Sequence, residues 1–269
     1  MEFSKIQGTG NDFVIIDNRD GKFEKFCGKL SIDSVVRKVC ERRRGVGADG
    51  LILIENSEVA DFKWRFFNSD GSVAEMCGNG ARCASRFAYE RGIAPERMRF
   101  ETLVGIVESE VRGCSVKVRL TPPTDLKLNI NAEGLNVHYI NTGVPHVVVL
   151  VERLDQIDVD KLGRKLRFSE VFSPKGANVN FVEVMLDRIR VRTYERGVEG
   201  ETLACGTGSV ASAIVSSLVF GLKPPIEVEV GTGERLMVYF DEELRNVFLE
   251  GPTVWVYDGK LREELLGGA

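Results

Sequence analysis

Histidine is nearly missing from this chain of 269 residues, with His138 and His146 the only two. Six cysteines stand at positions 27, 40, 77, 83, 114 and 205, and none forms a C-x-x-C pair. That combination excludes zinc-ribbon and zinc-finger patterns, and a chain this large needs no disulfide scaffold to hold a core. Excess charge of either sign is also lacking. Lys and Arg total 36 against 40 Asp and Glu, a formal net charge of -4, which gives no general electrostatic reason to bind nucleic acid or an anionic membrane. The one basic run, Arg42-Arg43-Arg44 beside Glu41, reads as a solvated helix end. Long hydrophobic runs are absent too: the longest, Val210 to Phe220, is broken by Ser212, Ser216 and Ser217, falls short of the roughly 18–20 residues of a membrane span, and reads as a buried helix. The opening MEFSKIQGTGNDF has no basic start leading into an apolar core and cleavage site. The expectation is a cytoplasmic protein with a small-molecule partner.

What the sequence does contain is itself, twice. Hydrophobic residues at 43% and charged residues at 28% suit an ordinary globular protein, and the length leaves one large fold or two domains open. Four landmarks recur in order: TGNDFVII at 9–16 with TGVPHVVV at 142–149, GADGLILI at 47–54 with GANVNFVE at 176–183, CGNG at 77–80 with CGTG at 205–208, and FETLVGIVESEV at 100–111 with VEVGTGERLMVY at 228–239. Their offsets are 133, 129, 128 and 128 residues. Val116–Leu120, Val137–Ile140, Asn180–Val184 and Arg190–Arg192 alternate or are β-rich between turn residues, so strands dominate. Helices are expected at about Asp33–Arg43, Ala81–Arg91 and Ser209–Phe220, the last two closed by glycine. The reading is α+β: two pseudo-symmetric domains from internal duplication, each a curved or barrel-like sheet around a central helix, with the active site in the interdomain cleft. Thr121-Pro122-Pro123-Thr124 is the natural linker. The domains expected are 1–121, joined by the C-terminal segment 252–269, and 122–251.

In both Met76-Cys77-Gly78-Asn79-Gly80 and Ala204-Cys205-Gly206-Thr207-Gly208, a cysteine immediately precedes Gly-x-Gly at a helix start. Unpartnered N–H groups and aligned peptide dipoles at a helix start favour a thiolate, and the same N–H groups can grip a carboxylate. Alone, one such motif reads as a buried structural cysteine. Repeated at equivalent positions of a duplicated chain, it reads as two thiols set on opposite sides of one bound molecule. That arrangement suits stereoinversion, in which a base removes a proton from one face while an acid delivers one to the other. Ionising one thiol raises its neighbour's pKa, so one thiolate and one thiol form the expected resting state.

GTGNDFVIID, RRGVGADGL, FFNSDGSVAEMCGNGARC, GVPHVV, ANVNFVEV, TYERGVEGETLACGTGS and VYDG, spread over nearly the whole chain, resemble the successive motifs of the diaminopimelate epimerase family. The resemblance implies interconversion of LL- and meso-diaminopimelate without pyridoxal phosphate or any other cofactor, for lysine and peptidoglycan synthesis. It implies that Cys77 and Cys205 are the acid–base pair, and that the N–H groups of Gly78, Asn79, Gly206 and Thr207 hold the carboxylate at the reacting carbon. It implies substrate contacts from Asn11, Asn68, Asn178 and Arg196, an ammonium contact and catalytic support from Glu195, support from His146, and a homodimer interface at Tyr257. Donors aimed at the carboxylate stabilise charge developing there, and a fork-shaped Arg suits a distal carboxylate. Bland readings stand beside these. The three asparagines lie in turn-like sequence, Glu195-Arg196 fits a surface ion pair, and a lone histidine after proline fits a structural role. Cys27, Cys40, Cys83 and Cys114 read as inert.

Three features depart from the family pattern: Val144 where GNPH carries Asn, Gly50 where some members have Gln, and GVEGET in place of the shorter GxGET. Two rival readings remain. One is a two-thiol racemase or epimerase of proline or hydroxyproline on the same fold. The other is a non-enzymatic protein in which the two thiols form a redox-sensing disulfide.

Overall fold

The computed structural model describes residues 1–267; the last two residues of the expected segment 252–269 lie outside the described residues. The chain divides into two compact units, Met1–Val118 with the segment from Pro252 onward, and Arg119–Gly251. In the first unit, β1 (Glu2–Gly8), β2 (Asn11–Asp17), β3 (Gly50–Glu55), β4 (Phe62–Asn68), β5 (Arg97–Thr102), β6 (Gly105–Arg112) and β7 (Ser115–Leu120) are neighbours in that order. The last strand of the chain, Val254–Lys260, pairs antiparallel with β1 at the other edge. Among the described residues of this unit, β2–β3 and β4–β5 are the parallel pairs.

Phe13, Val14, Ile15 and Ile16 are all buried, as are Leu51–Ile54, because both faces of this sheet are covered; such strands read as continuous apolar runs rather than alternating ones. On one face, Val14, Ile16, Leu51 and Leu53 pack with α1 (Lys22–Cys27) and α2 (Ile32–Cys40) through Phe23, Val35, Val36 and Val39. Since successive side chains of a strand point to opposite faces, Phe13, Ile15 and Ile52 serve the other face. There α3 (Gly78–Glu90) lies against β1, β2, β3 and β6. One helix touches strands so far apart in the sheet because the sheet curls around it.

The second unit repeats this plan. Its strands are β8 (Thr124–Ala132), β9 (Leu135–Asn141), β10 (Pro145–Val151), β11 (Asn178–Val184), β12 (Ile189–Glu195), the short β13 (Gly200–Thr202), β14 (Ile226–Glu229), β15 (Arg235–Phe240) and β16 (Val247–Pro252). The order is β8-β9-β10-β11-β12-β14-β15-β16, with β10–β11 and β12–β14 parallel and β13 an extra ribbon on β12. Outside lies α4 (Val159–Arg167), and α5 (Gly206–Phe220) is embraced by β9, β10, β11, β12, β14 and β15. All four sequence landmarks thus occupy the same place in each unit: β2 and β10, β3 and β11, the starts of α3 and α5, and the β5–β6 and β14–β15 hairpins. The duplicated α+β reading and the curved sheet around a central helix agree with this topology.

Local corrections have local causes. The α2 helix stops at Cys40 rather than Arg43, because the amides of Gly45, Val46 and Gly47 turn back onto the carbonyls of Glu41 and Val39. A Cβ on Gly45 would lie 2.6 Å from the Val39 carbonyl oxygen, so only glycine lets the chain cross the helix end this closely. Arg42 therefore lies beyond the helix end and, though still largely exposed, forks onto Asp12 at 2.9 and 3.0 Å and reaches Asp49 at 2.7 Å. The central helices begin three residues earlier than expected, at Gly78 and Gly206, so Gly-x-Gly is their first turn and not a loop before it. Two short helices, α1 and α4, escaped the sequence reading.

Candidate active site

Each central helix is capped by one of the two cysteines. Cys77 is the N-cap of α3 in extended conformation, and its Sγ accepts from the Gly80 amide at 3.5 Å. Cys205 is the extended N-cap of α5, and its Sγ lies 3.5 Å from the Thr207 hydroxyl. Both cysteines therefore stand at a helix start, where the dipole favours negative charge. The remaining thiols differ in kind. Burial pushes Cys83 and Cys40 up to about 12 and also raises Cys27, which keeps them protonated.

In the first unit the start of α3 is tied to β2. The amide of Asn79 donates to Asn11 Oδ1 at 2.5 Å and its oxygen accepts from Thr9 Oγ1 at 3.2 Å, while Arg82 donates to the same hydroxyl at 2.9 Å. Asn11 Nδ2 in turn donates to Asp49 at 3.0 Å. Asp49 and Asp12 are anchored by Arg42, and Asp12 also by Lys5 at 2.8 Å. Burial opposes ionisation of Asp12, yet the hydrogen bonds from Arg42 and Lys5 outweigh it and bring the carboxyl down to about 2. Asn11 and Asn79 thus keep one N–H each to offer a ligand. Asn68 ends β4 opposite Gly50, exposed, its amide donating to Ser72 Oγ at 3.0 Å; among the described residues it makes no hydrogen bond to Asn11 or Asn79.

In the second unit Asn178 opens β11, and its oxygen accepts from the Arg196 amide at 2.7 Å, so its NH2 group is what remains to meet a ligand. The Glu195 carboxylate accepts from Thr202 Oγ1 at 3.0 Å. His146 is wholly buried beside α5, with Nε2 3.0 Å from Thr207 Oγ1 and Nδ1 3.1 Å from Asn180 Nδ2. Burial first, and the charge of Arg196 second, bring its pKa down to about 3, so the ring is neutral. Thr142 Oγ1 donates to the Thr207 carbonyl at 2.9 Å.

The three departures from the family pattern also have local accounts. Gly50 has no room for a larger residue, since its Cβ would lie 2.6 Å from the Phe67 carbonyl oxygen and 2.7 Å from the Phe66 ring. The longer GVEGET segment is accommodated at Glu199, whose backbone is left-handed at φ 58° and whose carboxylate is held by Arg167 at 3.2 Å. Val144 sits in the β9–β10 turn, its carbonyl accepting from the Thr142 amide at 3.2 Å; the structure offers no polar side chain in place of the missing Asn at that position.

Sequence reasoning missed Asp12, Asp49, Arg42, Thr9 and Asn180. A signal was available for Asn180. In the buried strand ANVNF, Asn178 and Asn180 are two apart and so share a face, and a carboxamide inside an otherwise apolar strand demands partners. Among the described residues no group of three or more His, Cys, Asp or Glu side chains converges as a metal site requires, and no helix is long and apolar enough to cross a membrane.

Comparison with known proteins follows the same outline. The diaminopimelate epimerase family model matches residues 3–124 and 138–256. The chain is 57% identical to a diaminopimelate epimerase of Aquifex aeolicus over 99% of both chains. It is 50% identical to one from Hydrogenobaculum over 98% of this chain and 100% of the other. Among solved structures it resembles a PhzF-family phenazine biosynthesis protein of Bacillus anthracis (TM-score 0.73, 19% identity, 97% and 99% of the two chains). It also resembles a hydroxyproline epimerase of Agrobacterium vitis (TM-score 0.67, 15% identity, 96% and 91%); at these identities the likeness is one of fold. With the family model spanning both units and close relatives matched end to end, the chain belongs to the diaminopimelate epimerase family.

Proposed function

We propose that this protein interconverts LL- and meso-diaminopimelate by a two-base mechanism in which Cys77 and Cys205 are the acid and base. One observation carries the reading: the two cysteines cap equivalent helices of two topologically equivalent units. The thiolate takes the α-proton, the opposed thiol returns one to the other face, and the pair ends with its roles exchanged. Charge pushed into the α-carboxylate is met by the N–H groups of Gly78, Asn79, Gly206 and Thr207, already oriented by their helices and costing no reorganisation. Asn11, Asn68 and Asn178 contribute carboxamide contacts. Arg196 takes the distal carboxylate, Glu195 an ammonium group, and His146 supports the second helix start. No cofactor enters the reaction.

The same reading takes 1–121 with 252–269 and 122–251 as the two domains, with the substrate addressed by residues of both. It places the protein in the cytoplasm, as a homodimer formed through the exposed last strand, β17 (Val254–Lys260), around Tyr257. Light scattering at working concentration should give twice the chain mass, and a monomer would remove the dimer from the reading. Function is tested by incubating reduced protein with LL-diaminopimelate in heavy water without added cofactor. Meso product carrying one α-deuterium is the expected result. Exchange into proline alone would reassign the substrate, and no exchange with any amino acid would leave only the redox-thiol reading.

A further inference from the structure

Asn180 lies in the middle of β11, wholly buried, between His146 on β10 and Thr193 on β12. Its Nδ2 is 3.0 Å from the Val147 carbonyl oxygen and 3.1 Å from His146 Nδ1, and its Oδ1 accepts from Thr193 Oγ1 at 3.0 Å. A carbonyl oxygen can only accept, so the nitrogen end of the amide faces Val147 and its second hydrogen points at Nδ1. Gly208, in the first turn of α5, leaves the space Asn180 needs, because a Cβ there would collide with Asn180 Oδ1.

We propose that Asn180 is a positioning residue for Cys205, acting through His146 and Thr207 to aim a hydroxyl hydrogen at the Cys205 sulfur. With Nδ1 engaged as an acceptor, the neutral ring carries its proton on Nε2. That proton is donated to Thr207 Oγ1, 3.0 Å away. A hydroxyl that accepts from histidine directs its own hydrogen elsewhere, and Cys205 Sγ stands 3.5 Å from it. Each donor in the chain, from Thr193 through Asn180, His146 and Thr207, thus points toward the thiol, and Thr142 fixes the backbone of Thr207 meanwhile. Burial, and after it the charge of Arg196, disfavours a second proton on the ring and keeps it neutral, while the Asn180 amide sets which nitrogen carries the one proton.

The two thiols are supported differently as a result. Cys77 Sγ receives a main-chain N–H, that of Gly80, which no tautomer can reverse, whereas the donor to Cys205 Sγ is a side chain whose direction is set two residues away. A hydrogen bond to an anion lost at Cys205 lowers its thiolate fraction about tenfold. The catalytic meaning of the relay rests on the two-thiol reading, but its test does not.

Reduced full-length protein is alkylated with iodoacetamide at fixed neutral pH, and peptide mass spectrometry reads the rates at Cys205 and Cys77 in the same tube. In Asn180→Asp a carboxylate accepts from the ring, the proton moves to Nδ1, Nε2 becomes an acceptor and the Thr207 hydroxyl turns away from sulfur. Cys205 should then react about tenfold more slowly relative to Cys77. Thr207→Val should slow Cys205 to the same degree without touching Asn180 or His146, and decides the matter if the buried Asp prevents folding. Independently, nitrogen NMR of the unmodified protein should show His146 as the Nε2–H tautomer. An unchanged Cys205-to-Cys77 ratio in Thr207→Val, or an Nδ1–H tautomer in the unmodified protein, overturns the relay. Protein that passes both tests yet exchanges no α-proton would refute the epimerase reading and leave the relay standing.

Discussion

Acid should weaken the second unit through His146 well before it reaches the carboxylates. The ring is wholly buried and its pKa falls from 6.5 to about 3, chiefly because burial penalises the charged form and secondarily because Arg196 is near. In the unfolded chain the same histidine takes a proton below 6.5. Between those two values the unfolded state binds one more proton than the folded state, so stability is complete above the unfolded pKa and falls as pH falls. The loss is about 1.4 kcal/mol per pH unit, amounting to about 2 kcal/mol on moving from about pH 7.5 to about pH 5. Of the two histidines in the chain, His138 acts alongside it, and so does the N-terminal ammonium; burial lowers the pKa of both, so they add in the same direction. Comparing the unmodified protein with His146→Gln isolates the larger effect. Glutamine can still donate toward Thr207 but does not titrate, so the variant starts less stable and the gap should close by about 2 kcal/mol at about pH 5. Urea denaturation followed by circular dichroism at several pH values measures this. A gap that stays constant from about pH 7.5 to about pH 5 would show that His146 is not the neutral, desolvated group the structure presents.

Replacing Cys77 or Cys205 by Ser, one at a time, should reduce epimerisation by about a hundredfold or more while leaving substrate binding to the helix N–H groups. Each variant should retain α-proton exchange from one configuration only, LL for one and meso for the other, and identical preferences would show that the thiols do not address opposite faces. Gly163→Ala should destabilise by about 1–3 kcal/mol although alanine is the better helix former by about 1 kcal/mol, because the new methyl would lie 2.7 Å from Cγ of Tyr194; a rise in the denaturation midpoint would contradict this packing. Asp12→Asn should cost about 1–2 kcal/mol at neutral pH, with allowance for solvent screening. That cost should vanish in acid as Asp12 protonates, since a carboxyl held at about 2 gives its stability above the ordinary carboxylate pKa and loses it on the way down; a cost unchanged at about pH 2 would rule out the ion-pair origin.

The fold was legible wherever one physical demand dominated a stretch of sequence. Val116–Leu120, Val137–Ile140, Asn180–Val184 and Arg190–Arg192, read as strands from their alternating or β-rich pattern, lie within β7, β9, β11 and β12, and the helices expected after each CGxG fall on α3 and α5. What stayed hidden was set by contacts distant in the chain. Nothing within Arg42-Arg43-Arg44 reveals that the first arginine leaves the helix to join Asp12 and Asp49, because that choice depends on Gly45 and Gly47 folding the chain back. The short helices Lys22–Cys27 and Val159–Arg167 carry too few turns for their periodicity to stand out, and their stability comes from the sheet beneath them.

The candidate site divides along the same line. That Cys77 and Cys205 stand at the starts of two equivalent helices was readable because duplication displays a shared requirement twice. Asn11, Asn79, Thr207 and His146 were named through the family resemblance alone, and how they brace the two helix starts was not legible, because the two halves meet one requirement with different chemistry. At the start of α3 the second residue, Asn79, is braced sideways by Asn11 and Thr9, leaving the Gly80 amide to face the sulfur. At the start of α5 the corresponding Thr207 turns its hydroxyl toward the sulfur and needs a histidine behind it to set the direction. A search for repeats finds what the halves keep in common and passes over what each half does alone. The asymmetric residues, Asn79 against Thr207 and Phe13 against His146, are therefore where the surroundings of the two thiols differ, and on the two-thiol reading they are where the pair can be tuned apart for LL and meso substrates.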